Sequence, residues 1–196
     1  IAVGMALEDI QIANTNAAFE PRLDYVIAKL PRFPFDKFTS ATNKLGTQMK
    51  ATGEIMGIGS NLEEALLKGI RSLEIGANHL YLSKFDHMSV DELLEYIKEF
   101  RSDNIFAIAE LLYHGVSVEK IHEITMITPY FLESIKNIID MEETLRVNKD
   151  IETLIAAKKM GFGDKYIARL WDCKEMDVYN MRKENNLFPV FKMVDT

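Results

Sequence analysis

The stretch 52-TGEIMGIGSNLE-63 holds the change from strand to helix on which the fold depends. Residues 49–58 predict a strand that its glycines loosen, and Ser60 and Glu63 have the spacing of a capping box. In such a box the serine accepts a hydrogen bond from an early backbone N–H, and the glutamate returns one. We therefore expect a helix from residue 60 to about Glu74, just before a glycine that can end it.

The chain before this stretch mixes strand and turn signals. Residues 23–30 are rich in Tyr, Val and Ile and are bounded by Pro21 and Pro31, which predicts a strand between the two prolines. Pro31 and Pro34 are then expected to interrupt regular structure. Residues 1–7 are apolar and follow no capping residue, so they predict the middle of a helix and a chain that begins inside a domain.

Helical signals dominate from about Ile75 onward. Ser89 and Glu92 form a second capping box, and Thr128 before Pro129 is a good helix entry because the fixed φ of proline suits the first helical position. Apolar residues recur at helical spacing between and after these entries. The predicted helices lie in residues 90–100, 105–112 (closed by Gly115), 129–139, 150–160, 164–171 and 174–185. The expected fold class is α+β and mainly α, with a short partial sheet followed by an all-helical domain.

Composition limits the classes of partner. The chain has 196 residues, 47% of them hydrophobic, and a formal net charge of -7, most of it after residue 74. That charge argues against a nucleic-acid or membrane partner, because both reward a basic surface. No apolar run approaches the ~20 residues of a membrane span, and the start does not resemble a signal peptide. A single cysteine cannot form an internal disulfide, so we expect a cytoplasmic protein.

Metal and thiol chemistry have little support in the sequence. His122-Glu123 opens a zinc-protease motif, but Met126 stands where the second histidine is needed. The other histidines, His79, His87 and His114, have no metal-ligand spacing. Cys173 lies among carboxylates, which raise a thiol pKa, so we interpret it as a packed or idle cysteine.

Two further motifs have a structural and a functional interpretation. Gly57 and Gly59 resemble the opening of a dinucleotide fingerprint, but Leu62 replaces the third glycine, so a strand-to-helix turn is favoured. Residues 163–185 resemble a helix-turn-helix, whose second helix would enter the DNA major groove. They contain five bases and five acids, which is poor for phosphate contact. We favour a helical packing unit and keep nucleic-acid binding as the alternative.

Several segments taken together resemble one family. The first segment is AFEPRLDYVIAKLPRF at residues 18–33. It is followed by QMK at 48–50 and TGEIMGIG at 52–59. Residues 131–132 (FL), 159–162 (KMGF), 189–192 (PVFK) and 194–196 (VDT) follow in the same order. The order resembles the large subunits of carbamoyl phosphate synthetases, from the end of the first ATP-grasp unit through the helical oligomerisation domain. The resemblance covers nearly the whole chain, and residues 19–59 are its most specific part.

The resemblance implies a parent ligase and a division of this chain. In that family, two ATP-grasp halves phosphorylate bicarbonate and then carbamate, and a glutaminase small subunit supplies ammonia. ATP and magnesium are used, and carbamoyl phosphate feeds arginine and pyrimidine biosynthesis. Residues 1–74 would be the end of the carboxyphosphate-forming ATP-grasp domain, and 75–196 the oligomerisation domain. The expected partners are the rest of the large subunit, the small subunit and a second copy.

The family's nucleotide and metal ligands lie upstream of the matching positions. We therefore assign no catalytic, cofactor-binding or metal-binding residue, and expect the fragment alone to be inactive. Glu20, Arg32 and Glu54 match family positions but are interpreted as structural. Tyr130, Phe131 and Trp171 are expected to serve core or interface packing.

Overall fold

The structure is a computed structural model that describes residues 2–20, 23–35, 37–38 and 40–193. Pro21, predicted to bound a strand, and the family-like segment 194–196 lie outside the described residues. In chain order the elements are β1 (Gln11–Ile12), β2 (Thr15–Asn16), β3 (Val26–Arg32), β4 (Gly53–Gly59), α1 (Leu62–Ser72), α2 (Val90–Tyr96), α3 (Asn104–Tyr113), α4 (Val118–Thr125), α5 (Pro129–Val147), α6 (Ile151–Lys159), α7 (Asp164–Trp171) and α8 (Glu175–Glu184). Two short antiparallel sheets precede the helices, which confirms the mainly helical α+β class.

β3 and β4 pair antiparallel from Val26↔Gly59 to Arg32↔Gly53. Exposure alternates along β3, so one face of this sheet lies against α1 and the other is open. The prediction that Pro31 ends the first strand is wrong, since Pro31 pairs with Glu54 inside it. Each strand of a two-stranded sheet is an edge strand, where a residue without an N–H is tolerated.

The start of the chain is not helical. Residues 2–6 form turns and irregular backbone, and the one helical turn there is a 3₁₀ helix, Leu7–Asp9. The expected apolar helix over residues 1–7 is therefore wrong for its described part. Val3, Met5 and Leu7 are exposed, so this run has no core to pack against and gains little from a helix.

The cap of α1 lies one residue later than predicted. Asn61 is the N-cap, and its side-chain oxygen accepts from Glu64 N at 2.8 Å. Glu64 in turn accepts from Ser60 N at 2.7 Å. Ser60 is thus the residue before the cap, and Glu63 instead accepts a hydrogen bond from Asn137 on α5 at 3.0 Å.

The later helices largely follow the predicted ranges. The Ser89–Glu92 capping box and the Thr128-Pro129 helix entry are confirmed, and Gly115 ends α3 in a left-handed conformation. α2 is shorter than expected, because the carbonyl of Phe100 accepts from Leu45 N at 2.6 Å. That pairing with an earlier loop removes residues 98–100 from the predicted helix. α4 was not predicted as an element.

α5 is the central helix of the core, and it contacts α1, α3, α4, α6 and α7. Its buried residues Leu132 and Ile138 are fully shielded from solvent. One continuous hydrophobic cluster joins them to Leu67 and Ile70 of α1. Each such side chain contributes about 1.5–3 kcal/mol through burial. The predicted domain boundary at 74/75 stays a prediction, and the core extends across it.

Candidate functional site

The two glycines of the fingerprint-like motif lie against the backbone of α1. A Cβ added to Gly57 would come within 2.0 Å of the Ala65 carbonyl oxygen, and one added to Gly59 within 2.6 Å of Ala65 N. The space that a phosphate would need is therefore occupied by the helix itself. The interpretation as a strand-to-helix packing contact is supported, and these residues do not fit a nucleotide.

The histidines considered as metal ligands lie apart. His122 Nδ1 is 2.7 Å from the carbonyl oxygen of Ile127, so its ring secures the turn after α4. His114 Nε2 lies 3.2 Å from Glu110 on its own helix. Over the described ranges, no group of three or more His, Cys, Asp or Glu side chains is placed to hold a metal ion.

Cys173 is exposed at the turn between α7 and α8. Desolvation and then the neighbouring Asp177 raise the pKa of its thiol. A raised pKa keeps the thiol protonated at neutral pH, which disfavours a nucleophilic role.

The helix-turn-helix-like pair consists of α7 and α8. Asp164 accepts from Lys158 Nζ at 2.9 Å and from Arg182 Nε at 3.0 Å, which joins α6, α7 and α8. Burial alone would raise the pKa of Asp164, but these hydrogen bonds outweigh it and lower the pKa. Arg169 stacks on Tyr81, with its guanidinium carbon 5.0 Å from the ring centre. Because Arg182 is committed to its partly buried ion pair with Asp164 and residues 163–185 carry equal numbers of bases and acids, a DNA-binding role is not favoured.

The family-matching polar residues have local structural contacts. Glu54 forms an exposed ion pair with Lys29 across the β3–β4 sheet at 2.9 Å. Arg32 donates to the carbonyl of the next residue, Phe33. Glu20 is exposed. No described contact of these three side chains suggests a catalytic role.

A buried polar cluster, which the sequence did not predict, lies between residue 79 and α5 and α7. His79 is 2% exposed, and its ring stacks on Tyr166 with the ring centres 3.9 Å apart. Its Nε2 lies 3.5 Å from a carboxylate oxygen of Glu142, which Arg146 holds at 2.6 Å from the other side. Burial and the charge of Arg71 lower the pKa of His79 to about 3, so the ring is neutral. Apart from Glu142 and Arg146, which lie one turn apart on α5, these residues are far apart in sequence and no local pattern joins them.

Two ordered surfaces carry exposed apolar side chains. The sheet face is the open side of β3–β4, where Ile27 pairs with Ile58 and Met56 lies beside them. The α4–α5 corner consists of Met126, Tyr130 and Phe131, which are 74%, 64% and 49% exposed. Clustered exposed apolar groups of this kind often mark interaction sites.

The predicted packing roles of the aromatic residues divide between surface and core. Trp171 is buried, and its indole Nε1 donates to the Leu145 carbonyl at 2.9 Å. Tyr130 and Phe131 instead meet edge to face at the surface, with ring centres 5.5 Å apart. No helix in the part of the chain that the structure describes is long and apolar enough to cross a membrane.

A family model supports the sequence resemblance. The model for the oligomerisation domain of the carbamoyl-phosphate synthetase large chain matches residues 54–186. The match begins in β4 and ends just after α8, so it includes the core and both helices of the helix-turn-helix-like pair. Since it covers more than half of the chain, this protein belongs to the carbamoyl-phosphate synthetase large-chain family through its oligomerisation domain.

Proposed function

We propose that this chain is a scaffold and subunit-contact region of a carbamoyl phosphate synthetase large subunit. The observation that carries the proposal is the α4–α5 corner, an exposed apolar surface held on a buried helical core. The parent enzyme would be an ATP-dependent carbon–nitrogen ligase of the cytoplasm. It would make carbamoyl phosphate from bicarbonate and glutamine-derived ammonia for arginine and pyrimidine biosynthesis.

The sheet face is the proposed contact with the rest of the large subunit. β3 and β4 form a two-stranded sheet, and its open face carries Ile27, Met56 and Ile58. Besides this face, both strands are edge strands, and edge strands with free backbone groups accept further strands readily. Residues 1–74 would therefore complete an ATP-grasp domain whose remaining strands lie elsewhere in the parent chain.

The α4–α5 corner is the proposed contact with a second copy. Met126 ends α4 in a left-handed conformation, and Tyr130 and Phe131 lie in the first turn of α5. α5 is anchored at the centre of the core, so the corner is preorganised for binding. Aromatic residues and methionine are enriched at protein interfaces, whereas acidic residues are depleted there.

ATP and magnesium are proposed as cofactors of the parent only. The glycine turn is filled by α1, and the family-matching Glu54 is paired with Lys29. Phosphoryl transfer requires groups that hold phosphate and metal. Calorimetric titration of the full chain with Mg-ATP should therefore show no tight binding, and binding at micromolar strength would contradict the proposal. The glutaminase subunit is proposed to contact the parent rather than to depend on a site in this chain.

Light scattering across a concentration series tests the self-contact. The double variant M126S/Y130S should shift the monomer–oligomer equilibrium of the full chain toward monomer. Both side chains are exposed, so the change in unfolding free energy should stay within about 0.5 kcal/mol.

The matched control is M176S/Y179S, which removes one exposed Met and one exposed Tyr from α8. Its mass distribution should equal that of the wild type. Equal weakening of association by both doubles would show nonspecific hydrophobic contact. A wild-type chain that stays monomeric throughout would contradict self-association by this chain.

A further inference from the structure

We propose that a cavity beside α7 binds a small oxyanion, a phosphate or carboxylate group carried by a metabolite. The cavity lies between residues 75–83 and α7 and has a volume of about 410 Å³. That is within the ~300–1,000 Å³ typical of small-molecule sites. This inference does not depend on the proposed role in subunit contact.

The charge of the lining selects an anion. Lys165 and Arg169 line the cavity on one side, one helical turn apart on α7. Among the described residues that line it, none is an aspartate or a glutamate, although the chain as a whole carries a net charge of -7. Asn78 and Ser83 add neutral hydrogen-bonding side chains from the facing segment.

The nearest carboxylates are already engaged. Asp86 accepts from the hydroxyl of Tyr81 at 2.6 Å. Glu142, which lies behind the lining with one oxygen 3.5 Å from His79 Nε2, is held by Arg146 at 2.6 Å through its other oxygen. Arg169 rests on the ring of Tyr81, which positions its guanidinium without consuming the charge in an ion pair. An incoming anion would therefore meet two cations and no competing carboxylate in the lining.

His79 is a buried polar group of this cavity, and the Glu142 oxygen 3.5 Å from its Nε2 does not complete a hydrogen bond. The imidazole belongs to the lining, and neither ring nitrogen has a hydrogen-bond partner among the described residues. Buried polar atoms are nearly always paired in folded proteins, so an unpaired imidazole requires an explanation. A neutral ring can donate to one oxygen of an anion or accept from a hydroxyl beside it.

The geometry points to a ligand with an anionic end and an apolar body. The cations lie on α7, whereas Ile75, Ala77 and Leu82 provide apolar lining on the other segment. A bare inorganic ion would leave that apolar surface unused. Phosphate-bearing and carboxylate-bearing metabolites share the required chemistry, and the probes below separate them.

The test is heteronuclear NMR of the full chain during titration with inorganic phosphate and, separately, with citrate, at constant ionic strength. We expect saturable shifts at the amides of Lys165 and Arg169 and at the ring protons of His79. The anion that binds with the higher affinity identifies whether a phosphate or a carboxylate group is favoured. Shifts that are absent, or that sodium chloride reproduces at the same ionic strength, would overturn the proposal.

Variants locate the site. K165Q/R169Q should weaken the affinity by about tenfold or more, because charge-assisted hydrogen bonds are lost. The control K159Q/K183Q removes the same charge from exposed positions outside the cavity and should leave the affinity within about twofold. Equal weakening by both doubles would overturn the site.

Two single variants guard against effects on folding. K165Q alters a side chain that is exposed, so it should fold normally and weaken binding by about threefold. H79F keeps a ring against Tyr166 but removes both nitrogens, and should weaken binding by about two- to tenfold. Unchanged affinity in both folded variants would overturn the proposal.

Discussion

The segment before α1 and the helical part after it are ordered by different contacts. Before α1, no described apolar side chain is buried, whereas the helical part contributes a continuous core from Ala65 to Val178. β3 and β4 rest on α1, and the loop around residue 43 is hydrogen-bonded to α2 and the start of α3. The early segment therefore depends on the helices for its order.

The helical core includes α1, so cutting the chain at the predicted domain boundary would remove part of that core. α1 lies before the predicted boundary at 74/75, yet Leu66, Leu67 and Ile70 belong to the helical core. A fragment cut at residue 75 would lose these side chains and uncover the face of α5 that α1 contacts. Association of such a fragment would report exposed core as well as native surface, so variants of the full chain are the better test.

The largest expected effect is in the core. L132A deletes a fully buried side chain of α5 and should lower the free energy of unfolding by about 2–5 kcal/mol, because it leaves a cavity. L23A makes the same deletion at a 55% exposed position of the early segment and should cost under about 0.5 kcal/mol. Urea denaturation followed by circular dichroism measures both. Similar costs would show that the early segment has a core of its own.

The contact between the sheet and α1 can be broken at one glycine. G57A places a methyl group against the Ala65 backbone and should cost about 1–3 kcal/mol, because sheet and helix must separate. G53A is the control, since a Cβ there meets nothing within 4 Å. Hydrogen exchange should show lost protection in β3 and β4 for G57A alone. Intact protection in G57A would mean that the sheet does not need α1.

The buried ring of His79 should make the stability of the helical part depend on pH. The pKa of His79 is about 3 in the folded chain and ~6.5 when unfolded, so below pH ~6.5 the unfolded state binds the extra proton. Stability should therefore fall by about 1–2 kcal/mol between pH 7 and pH 5, and H79F should remove that loss. Denaturation at both pH values gives the comparison. H87N, which alters an exposed ring, should keep the wild-type pH dependence, and a loss that persists in H79F would assign it elsewhere.

Much of the helical part could be predicted because its signals are local. The Ser89–Glu92 box and the Thr128-Pro129 entry depend on neighbours within one turn, and both appear as predicted. The start of α1 was ambiguous, because Ser60 and Asn61 each precede a glutamate by three residues. A tertiary contact favours the second arrangement: Asn61 Nδ2 donates to the Lys159 carbonyl at 3.3 Å.

The candidate sites could not be predicted in the same way. His79 and Tyr166 stack across a long sequence separation, and only the packing of α7 brings them together. Residue types alone do not show which side chains remain exposed after folding. Tyr130 and Phe131 were therefore expected to pack in the core or an interface just as Trp171 was, although only Trp171 is buried. Family resemblance gave the oligomerisation domain, and structure is needed to place its surfaces.

The smallest expected effect concerns the loop around Asn43. Its side-chain amide donates to Tyr96 and to both carboxylate oxygens of Asp103, each at 3.2 Å, and its oxygen accepts from Arg101. N43A should therefore lower the free energy of unfolding by only about 1 kcal/mol, while hydrogen exchange and proteolysis near residues 40–50 accelerate. T47A, an exposed position in the same loop, should change neither. If the loop of N43A stays as protected as that of the wild type, the sheet contact with α1 alone orders the early segment, and the dependence on α2 and α3 is removed from the comparison.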